Sequence, residues 1–372
     1  MSELYIGLLS GTSMDAIDGV LVDLGATTPI LVHSHCHPIP RQLRQELLEC
    51  MGSTGMVGLS VLGGLNVRWG RLFAEAAVAL LEATGTPAMD VQAIGSHGQT
   101  MFHDPNGPVP FSLQLGDPNH IAEITGITTV ADFRGRDLAA GGQGAPLVPA
   151  FHAAIFQNPT EARVVLNLGG IANVTILPAD PTQPLRGFDT GPGNLLLDAW
   201  CLQCRGEAYD SHGTWGATGT VHTALLASLL KEPYFRQTPP KSTGRELFNP
   251  AWLRGILESL SGERPKDADI QATLAELTAC TITDAVRNHA KNTTRLLVCG
   301  GGVHNQEVLR RLRALLDPCP VESTQQHGFD PDWVEAAAFA WLAKQTLTGK
   351  PGNVPTVTGA RHSTVLGAIY PS

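Results

Sequence analysis

The sequence has little of what several protein classes require. Only 16% of its 372 residues are charged, and 25 Lys and Arg face 34 Asp and Glu, a net charge of −9. A negatively charged chain is a poor partner for nucleic acid or for an anionic membrane surface, although the net charge is compatible with a local basic pocket. The six tryptophans are scattered and form no base-stacking pattern. No apolar run approaches the ~20 residues of a membrane span. We therefore expect neither a nucleic-acid nor a membrane partner.

Cysteine is also scarce. The seven cysteines are odd in number and irregular in spacing, which argues against a disulfide framework. Cys201 and Cys204 form a C-x-x-C, but no second such pair accompanies them, so we expect two ordinary helix residues. No His/Cys cluster has metal-ligand spacing. No basic segment precedes a long apolar one near the N-terminus, so we expect no signal peptide and a cytoplasmic location.

What the chain does contain is glycine, 40 residues of it, often directly after apolar runs. A strand, a small polar turn and a second strand are predicted over 4–24 and again over 162–177. A strand running into a glycine-rich turn is predicted over 91–100 and again over 295–305. With predicted helices between, this order indicates two related α/β domains with a boundary near 150–160. The alternative is that there is no internal repeat, because any α/β protein contains successive strand–glycine–helix units.

The first of these turns, GTSMDAID (11–18), has the composition of an anion site. Backbone N–H groups of glycine-rich turns form concave anion sites, and Thr12 and Ser13 add two hydroxyl donors. Asp15 or Asp18 would hold Mg²⁺ through water, because that ion keeps most of its waters. No G-K-[ST] follows, so the turn is not a Walker A loop. The structural alternative is an Asx turn in which Asp15 bonds its own backbone.

Two later glycine stretches extend the same idea. NLGGIANVT (167–175) would form a second phosphate clamp through Gly169 and Gly170, although Gly-Gly is also a common turn. CGGGVHN (299–305) lacks the G-x-G-x-x-G spacing of dinucleotide-binding folds. Three glycines after a strand would let an adenine or ribose lie on the backbone, whereas a tight strand-to-helix turn explains them without a ligand.

Asp189 is the strongest candidate for chemistry. It lies in GFDTGPGN (187–194), at a predicted strand end, and Asn194 is predicted to cap the helix that follows. An acid beside a helix N-terminus faces a positive dipole and stays ionised. That suits a base that orients a nucleophile for phosphoryl transfer. The alternative is that Asp189 only bonds the nearby turn amides.

Other polar groups stand out from apolar or glycine-rich surroundings. Glu335 lies on a predicted helix (333–347) with Pro331 in its first turn, and apolar neighbours require that it has a polar partner or lines a pocket. A salt bridge with an arginine is the alternative. His97 and Arg134 lie in predicted glycine-rich turns, where they would bind a sugar or carboxylate. Loop hydrogen bonds and interdomain salt bridges are the other interpretation.

Taken in order along nearly the whole chain, these stretches resemble the anhydro-N-acetylmuramic acid kinase family of the hexokinase/actin-like ATPase superfamily. The resemblance is carried by GLLSGTSMDAIDGVLVDL, GSHGQTMFH, ADFRGRDLAAGGQGAPLVP, NLGGIANVT, GFDTGPGN, CGGGVHN and HGFDPDWVEAAAFAWLA. It implies an α/β fold of two related ribonuclease H-like domains around a central cleft. The domains would be 1–155 and 156–344, with a tail of about 345–372 packing back on the first.

The resemblance also implies a reaction. With ATP and Mg²⁺, water opens the 1,6-anhydro bridge of the sugar while O6 takes the γ-phosphoryl group, giving N-acetylmuramic acid 6-phosphate and ADP in peptidoglycan recycling. Asp189 matches the aspartate that activates the attacking water, and Glu335 matches an acid near the anomeric carbon. The other implied site residues are Gly11, Thr12, Ser13, Met14, Asp15, Ala16, Ile17 and Asp18 in the first ATP loop, Gly169 and Gly170 in the second, Gly300, Gly301 and Gly302 at the adenosine, and His97, Asp132 and Arg134 in the sugar-binding wall.

One departure and several alternatives remain. The family's first loop more often has glycine where this chain has Ala16, whose methyl is tolerated at negative φ and mildly strained at positive φ. A sugar kinase acting on another hexose or anhydrosugar is the nearest alternative. A nucleotide-regulated module of actin type is another, and a Rossmann oxidoreductase is the least supported. The sequence leaves a homodimer open.

Overall fold

The computed structural model describes residues 2–11, 14–26, 28–52 and 56–372. Within these residues the chain alternates strands and helices. The strands are β1 (Leu4–Ser10), β2 (Ala16–Asp23), β3 (Ile30–Pro38), β4 (Val91–Asp104), β5 (Phe111–Leu115), β6 (Thr129–Ala131), β7 (Arg163–Leu168), β8 (Ile171–Leu177), β9 (Arg186–Pro192), β10 (Arg295–Cys299), β11 (Val321–Ser323) and β12 (Ala368–Tyr370). The helices are α1 (Arg41–Gly52), α2 (Leu59–Thr84), α3 (Pro118–Thr125), α4 (Phe133–Ala139), α5 (Val148–Phe156), α6 (Leu195–Arg205), α7 (Thr223–Leu229), α8 (Pro250–Ser259), α9 (Asp267–His289), α10 (Gln306–Leu316), α11 (Val334–Leu347) and α12 (Pro355–Thr358).

The chain divides into two compact units, and the second is inserted into the first. Unit 1 comprises Met1–Ile155 and Trp333–Ser372, and unit 2 comprises Phe156–Asp332. Each unit has its own sheet and its own apolar core.

The sheet of unit 1 has the order β12-β6-β4-β1-β2-β3, with β5 paired to β4. Strands β1, β2 and β3 form an antiparallel meander, whereas β4 runs parallel to β1, and β6 parallel to β4. The strand β1 is apolar and almost wholly buried, as the sequence LYIGLLS predicts for a central strand.

Unit 2 repeats this arrangement. Its sheet has the order β11-β10-β7-β8-β9, with β7, β8 and β9 antiparallel and with β10 and β11 parallel to β7. Reading β7 as β1, β8 as β2, β9 as β3, β10 as β4 and β11 as β6 gives the same strand order in both units. The internal repeat is therefore one of topology, and the predicted fold class, an α/β fold of two related ribonuclease H-like domains, is confirmed.

The two cores are separate clusters. That of unit 1 is built around the long helix α2, which packs against β2 and β3 and whose Trp69 and Phe73 are fully buried. That of unit 2 is built around α9, which is buried along most of its length and packs against α6, α7 and α10. None of the helices in the described part of the chain is long and apolar enough to span a membrane.

Helix α11 corrects two predictions. Its apolar surface was compatible with either domain, and the predicted boundary at residue 344 placed most of it in the second, but it packs on β1 and β4 and belongs to unit 1. A Cβ on Gly7 would overlap the carbonyl oxygen of Ala336, and one on Gly95 would overlap that of Phe339, so glycines in two adjacent strands allow this close contact. The helix begins at Val334, one residue after the predicted start, so Pro331 precedes the helix and does not lie in its first turn.

Two predicted glycine-rich turns are in fact regular structure. The stretch around His97 belongs to β4, which runs on to Asp104 and is interrupted only by register shifts where it pairs with β1 and β5. The stretch around Arg134 is helix α4, begun by Asp132, whose φ is 56° and whose side chain accepts a hydrogen bond from the Gly135 N–H. Aspartate tolerates this left-handed conformation, so the same residue pattern is compatible with a turn and with the start of a helix.

The C-terminal segment packs back on the first sheet. Strand β12 pairs antiparallel with β6, and the chain before it hydrogen-bonds to the loop after α4 through Gln143 and Thr358 and through Arg361 and Ala140. The last strand of the chain therefore completes an edge of the sheet of unit 1.

Candidate active site

The first predicted phosphate loop is the turn between β1 and β2. Met14 has a φ of 54°, is buried, and donates its N–H to the Gly11 carbonyl at 3.2 Å. Thr12 and Ser13, the two predicted hydroxyl donors, lie outside the described residues. Because β2 begins at Ala16, the turn ends before the predicted limit at Asp18.

The end of that loop is strand. Ala16, Ile17 and Asp18 belong to β2 and pair with Pro38, His37 and Cys36 of β3. Ala16 is in extended backbone and not at positive φ, so its methyl adds no strain. The glycine expected there is not needed by this backbone.

Neighbouring side chains contact both acids of the loop. Asp15 is largely exposed and lies 3.3 Å from Arg44, and Asp18 accepts a weak bond from the Cys36 thiol. No three His, Cys, Asp or Glu side chains in the described ranges converge as a metal site. An ion here would take one or two carboxylates through water, which is the donor set that Mg²⁺ prefers.

The second loop, Gly169–Gly170, is the hairpin between β7 and β8. The carbonyls of Gly169 and Gly170 accept N–H groups of Asn194, Gly193 and Leu195 at 2.9, 2.9 and 3.0 Å. The N-terminus of α6 thus holds the hairpin through its first amides. Asn194 precedes α6, but its side chain makes no cap bond and instead donates to the Leu168 carbonyl at 3.2 Å, so its predicted capping role is wrong.

The triple glycine lies against the same hairpin. It follows β10, which is parallel to and paired with β7, so both glycine turns lie at the carboxyl ends of neighbouring strands. A Cβ on Gly300 or Gly302 would overlap Asn167 or Leu168, whereas one on Gly301 would have no atom within 4 Å. The buried Oδ1 of Asn167 has no hydrogen-bond partner among the described residues. An unpaired acceptor beside an open glycine is suited to a ligand hydroxyl or N–H.

Asp189 lies within β9, opposite Asn173 of β8. Three bonds fix it from one side: its N–H donates to the Lys241 carbonyl at 3.2 Å, its Oδ2 accepts the Thr243 N–H at 3.0 Å, and its carbonyl accepts the Tyr234 hydroxyl at 2.8 Å. The carboxylate is therefore partly buried and held by backbone groups, with one oxygen engaged.

The protonation of Asp189 differs from the prediction. Burial raises the pKa of its carboxyl to about 6; the Thr243 N–H and the Lys241 ammonium oppose this, and the nearby Glu246 adds to it. The helix dipole invoked from the sequence does not set this value, since the first amides of α6 bond the glycine hairpin instead. A carboxylate with a pKa close to neutral is a better general base than an ordinary aspartate.

Sequence reasoning missed the segment that holds Asp189. Tyr234, Lys241 and Thr243 were not singled out, although Lys-Ser-Thr-Gly (241–244) is again a small polar stretch ending in glycine. The Lys241 ammonium lies 4.6 Å from the Tyr234 ring centre and donates to the Tyr234 carbonyl. This stretch has the same combination of small polar residues and glycine as the other loops.

The predicted sugar-binding wall lies in unit 1. Arg134 donates from Nε and Nη2 to His97 Nε2 at 3.1 and 2.8 Å and from Nη1 to the Gly144 carbonyl at 2.8 Å. Burial lowers the pKa of Arg134 to about 10, and the negative charge of Glu335 on α11 opposes that fall. Burial raises the pKa of the Asp132 carboxyl. The sequence predicted these four residues together, and the structure brings Arg134, His97 and Glu335 into one electrostatic group.

Comparison with known proteins bears on the identity of this site. The family model of anhydro-N-acetylmuramic acid kinase matches residues 3–372. The chain belongs to the anhydro-N-acetylmuramic acid kinase family. Relatives of that name are 52% identical over 368 residues in Coxiella burnetii and 51% identical in Photobacterium profundum and in Xylella fastidiosa. These alignments cover 99–100% of this chain and 97–99% of the relatives.

Membership in the anhydro-N-acetylmuramic acid kinase family confirms the resemblance read from the sequence. It also confirms the enzyme class, a phosphotransferase with an alcohol group as acceptor. The roles of individual residues of the anhydro-N-acetylmuramic acid kinase site stay predictions.

Proposed function

We propose that this chain phosphorylates 1,6-anhydro-N-acetylmuramic acid with ATP while water opens the anhydro bridge, as a step of cell-wall recycling in the cytoplasm. The observation that carries the proposal is the family match along residues 3–372. The reaction consumes the sugar, water and ATP, and it yields N-acetylmuramic acid 6-phosphate and ADP.

Asp189 is the proposed base. Its carboxylate takes a proton from water, and the oxygen of that water forms a bond to C1 of the sugar. The pKa of about 6 supports this role, because the group is ionised at neutral pH yet basic enough to accept a proton. The Thr243 N–H on Oδ2 leaves Oδ1 for the water.

The bond from C1 to O6 breaks as water attacks, and the electron pair stays on O6. O6 then attacks the γ-phosphorus of ATP, and the bridging oxygen leaves with ADP. Ordinary glycoside cleavage needs an acid to protonate the leaving oxygen; here phosphoryl transfer takes that place. Glu335 steadies the positive charge that develops at C1, and its own charge interacts with the buried cation of Arg134.

The glycine turns hold the nucleotide. Gly169 and Gly170 contribute backbone donors to phosphate, and the open face of Gly301 takes the adenosine. Asp15 or Asp18 would hold Mg²⁺ through water, and the bound ion would neutralise phosphate charge. Met14, Gly11 and the strand residues that follow would shape the phosphate side of the first loop.

The decisive experiment is mass spectrometry of the products formed from ATP, Mg²⁺ and the anhydrosugar in ¹⁸O water. We expect one ¹⁸O at C1 and none in the phosphate. Unlabelled product incubated in the same water is the control for anomeric exchange. Label in inorganic phosphate would instead indicate ATP hydrolysis, and phosphorylation of an ordinary hexose without label would favour a hexose kinase. Nucleotide binding with no sugar-dependent ADP release would favour an actin-type module.

The base assignment has its own test. We expect Asp189→Asn to lower kcat by at least about 100-fold, the usual contribution of a general base, while nucleotide affinity stays near that of the native enzyme. Asp180→Asn is the matched control, because Asp180 only closes an exposed turn with Thr182. Substantial turnover by folded Asp189→Asn protein would refute the base role.

A further inference from the structure

Arg134 is held in one orientation by its neighbours. Three of its N–H donors are engaged, two with His97 and one with the Gly144 carbonyl. A guanidinium has five N–H donors, so two remain for a ligand. The direction in which those two point depends on how well His97 and Gly144 are themselves fixed.

His97 is fixed as a neutral acceptor. Its Nδ1 lies 2.8 Å from the Gly98 carbonyl, which can only accept, so Nδ1 carries the proton and Nε2 is free to accept from Arg134. Burial and the charge of Arg134 hold the pKa of His97 well below its ordinary value. His97 therefore orients the guanidinium and has no ring nitrogen left for sugar.

Gly144 is fixed from the other side by a buried carboxylate. Its N–H donates to Asp137 Oδ2 at 2.8 Å, while its carbonyl accepts from Arg134. The Asp137 side chain is completely buried. One residue, Gly144, thus links Asp137 through its N–H to Arg134 through its carbonyl.

The other oxygen of Asp137 is held by the C-terminal segment. Its Oδ1 accepts Asn353 Nδ2 at 2.7 Å and the Thr358 hydroxyl at 2.8 Å. Asn353 is itself tied down, because its Oδ1 accepts the Thr364 N–H at 2.8 Å. Asp137 therefore joins the loop after α4 to the segment between α11 and β12.

We propose that Asp137 is a positioning residue for sugar binding: by holding the backbone of Gly144 it fixes Arg134, and it thereby makes the C-terminal segment a support of the sugar site. The inference rests on the proposed function for the assignment of Arg134 to the sugar. Buried hydrogen-bond networks of this kind are sensitive to loss of one member, since the remaining polar groups are left unpaired.

The test is a double-mutant cycle on the full-length enzyme. Affinity for 1,6-anhydro-N-acetylmuramic acid is measured by calorimetry for Asp137→Asn, Arg134→Gln and the double variant. We expect Asp137→Asn to weaken sugar binding about tenfold, as for a lost hydrogen bond to a charged group, with ATP affinity unchanged. In the Arg134→Gln background the same change should have little further effect, because no guanidinium is left to position.

Two controls separate positioning from general damage. Asp210 is a buried aspartate of unit 2 that accepts the Trp215 and Gly216 N–H groups, and Asp210→Asn should leave sugar affinity unchanged. Thr358→Val removes one bond to Asp137 and enters the same cycle if Asp137→Asn does not fold.

The outcomes are distinguishable. Additive effects of the two changes, or unchanged sugar affinity in Asp137→Asn and Thr358→Val, would overturn the positioning role. If Arg134→Gln alone left sugar affinity unchanged, the sugar-site assignment of Arg134 would fall, and the positioning proposal with it. We expect each single variant to bind the sugar more weakly than the native enzyme, and the double variant to bind it about as weakly as Arg134→Gln alone.

Discussion

The Asp189 carboxylate is a single side chain whose protonation is set by a short list of neighbours. Burial raises its pKa, and two charges act in opposite directions: Lys241 favours the ionised form and Glu246 disfavours it. Both lie on the segment after Tyr234 whose backbone also bonds Asp189. The segment that positions the base is therefore also the one that tunes it.

The pH dependence of kcat/KM should follow this carboxylate. A base must be deprotonated to act, so activity should fall as the pH drops below about 6. Lys241→Met removes a cation that lowers the pKa of Asp189, so the acid limb should move to higher pH. Glu246→Gln removes an anion that raises it, so the limb should move to lower pH. Steady-state rates between pH 4.5 and 8 measure both.

The opposite signs make the pair its own control. A general loss of stability would lower the rate in both variants without moving the two limbs apart. Shifts in the same direction, or no shift in either variant, would mean that another group controls the acid limb.

The triple glycine offers a separation of folding from binding. Gly302→Ala places a methyl 2.6 Å from the Leu168 carbonyl oxygen, which should lower the free energy of unfolding by about 1–3 kcal/mol. Gly301→Ala meets no atom within 4 Å, so thermal unfolding should be near that of the native chain while ATP affinity falls. Calorimetric unfolding and nucleotide titration distinguish them. Equal stability of the two variants would contradict the packing argument, and unchanged ATP affinity in Gly301→Ala would contradict the adenosine assignment.

Among the helices and strands, α11 shows how one element carries both packing and chemistry. It lies directly on β1 and β4, where Gly7 and Gly95 leave room for its backbone, and its first turn carries Glu335. The position of Glu335 therefore depends on glycines that are distant from it in sequence.

The same substitution should have opposite effects at two glycines. Gly95→Ala would force α11 away from β4, so we expect a loss of about 1–3 kcal/mol or more and a lower kcat. Gly63→Ala, in the exposed part of α2 with no atom within 4 Å of the new methyl, should add about 0.5–1 kcal/mol, because alanine favours the helix. Denaturant unfolding and rate measurements test the pair. A stabilised Gly95→Ala protein with normal activity would refute the close packing.

Apolar pattern and glycine position predicted many elements well and others poorly. The strand, turn and strand predicted over 4–24 contain β1 and β2, and α2 ends at Gly85, whose φ of 63° suits glycine. Strand β4 was cut short because its polar residues look like a turn when the pairing strand is unknown. The predicted boundary placed α11 in the wrong domain, because a helix that is apolar on nearly every side does not indicate which sheet it covers.

The candidate site was predicted as residues and not as contacts. Asp189, Arg134, His97 and Glu335 were selected by their chemistry against an apolar background. Lys241 and Thr243 bond Asp189 through a backbone carbonyl and a backbone amide, and Asp137 reaches Arg134 through the backbone of Gly144; no side-chain pattern indicates such contacts. The direction of the Asp189 pKa shift follows from burial, a property of the folded chain that the dipole argument did not contain.

The path of the whole chain explains the order of these parts. Unit 2 is continuous, Phe156–Asp332, and its core cluster is complete within that range. Unit 1 is interrupted, and α11, which covers Gly7 and Gly95, returns to it only after residue 333. The two units share a strand order, but unit 1 depends on residues 333–372 to cover and complete its sheet, whereas unit 2 contains all the strands of its own sheet.

This inequality predicts how fragments should behave. Residues 156–332 expressed alone should unfold cooperatively on heating, because every strand of their sheet is present. Residues 1–155 alone should not, because the faces of β1 and β4 that α11 covers would be exposed apolar surface. Joining 1–155 to 333–372 through a flexible Gly/Ser linker should restore a cooperative transition.

The control is the same fusion with Gly95→Ala, which should weaken that transition because α11 no longer fits. Circular dichroism melts and amide chemical-shift dispersion measure each fragment. Cooperative folding of 1–155 without the C-terminal residues would show that the first sheet does not need α11. That result would also contradict the support inferred for Glu335.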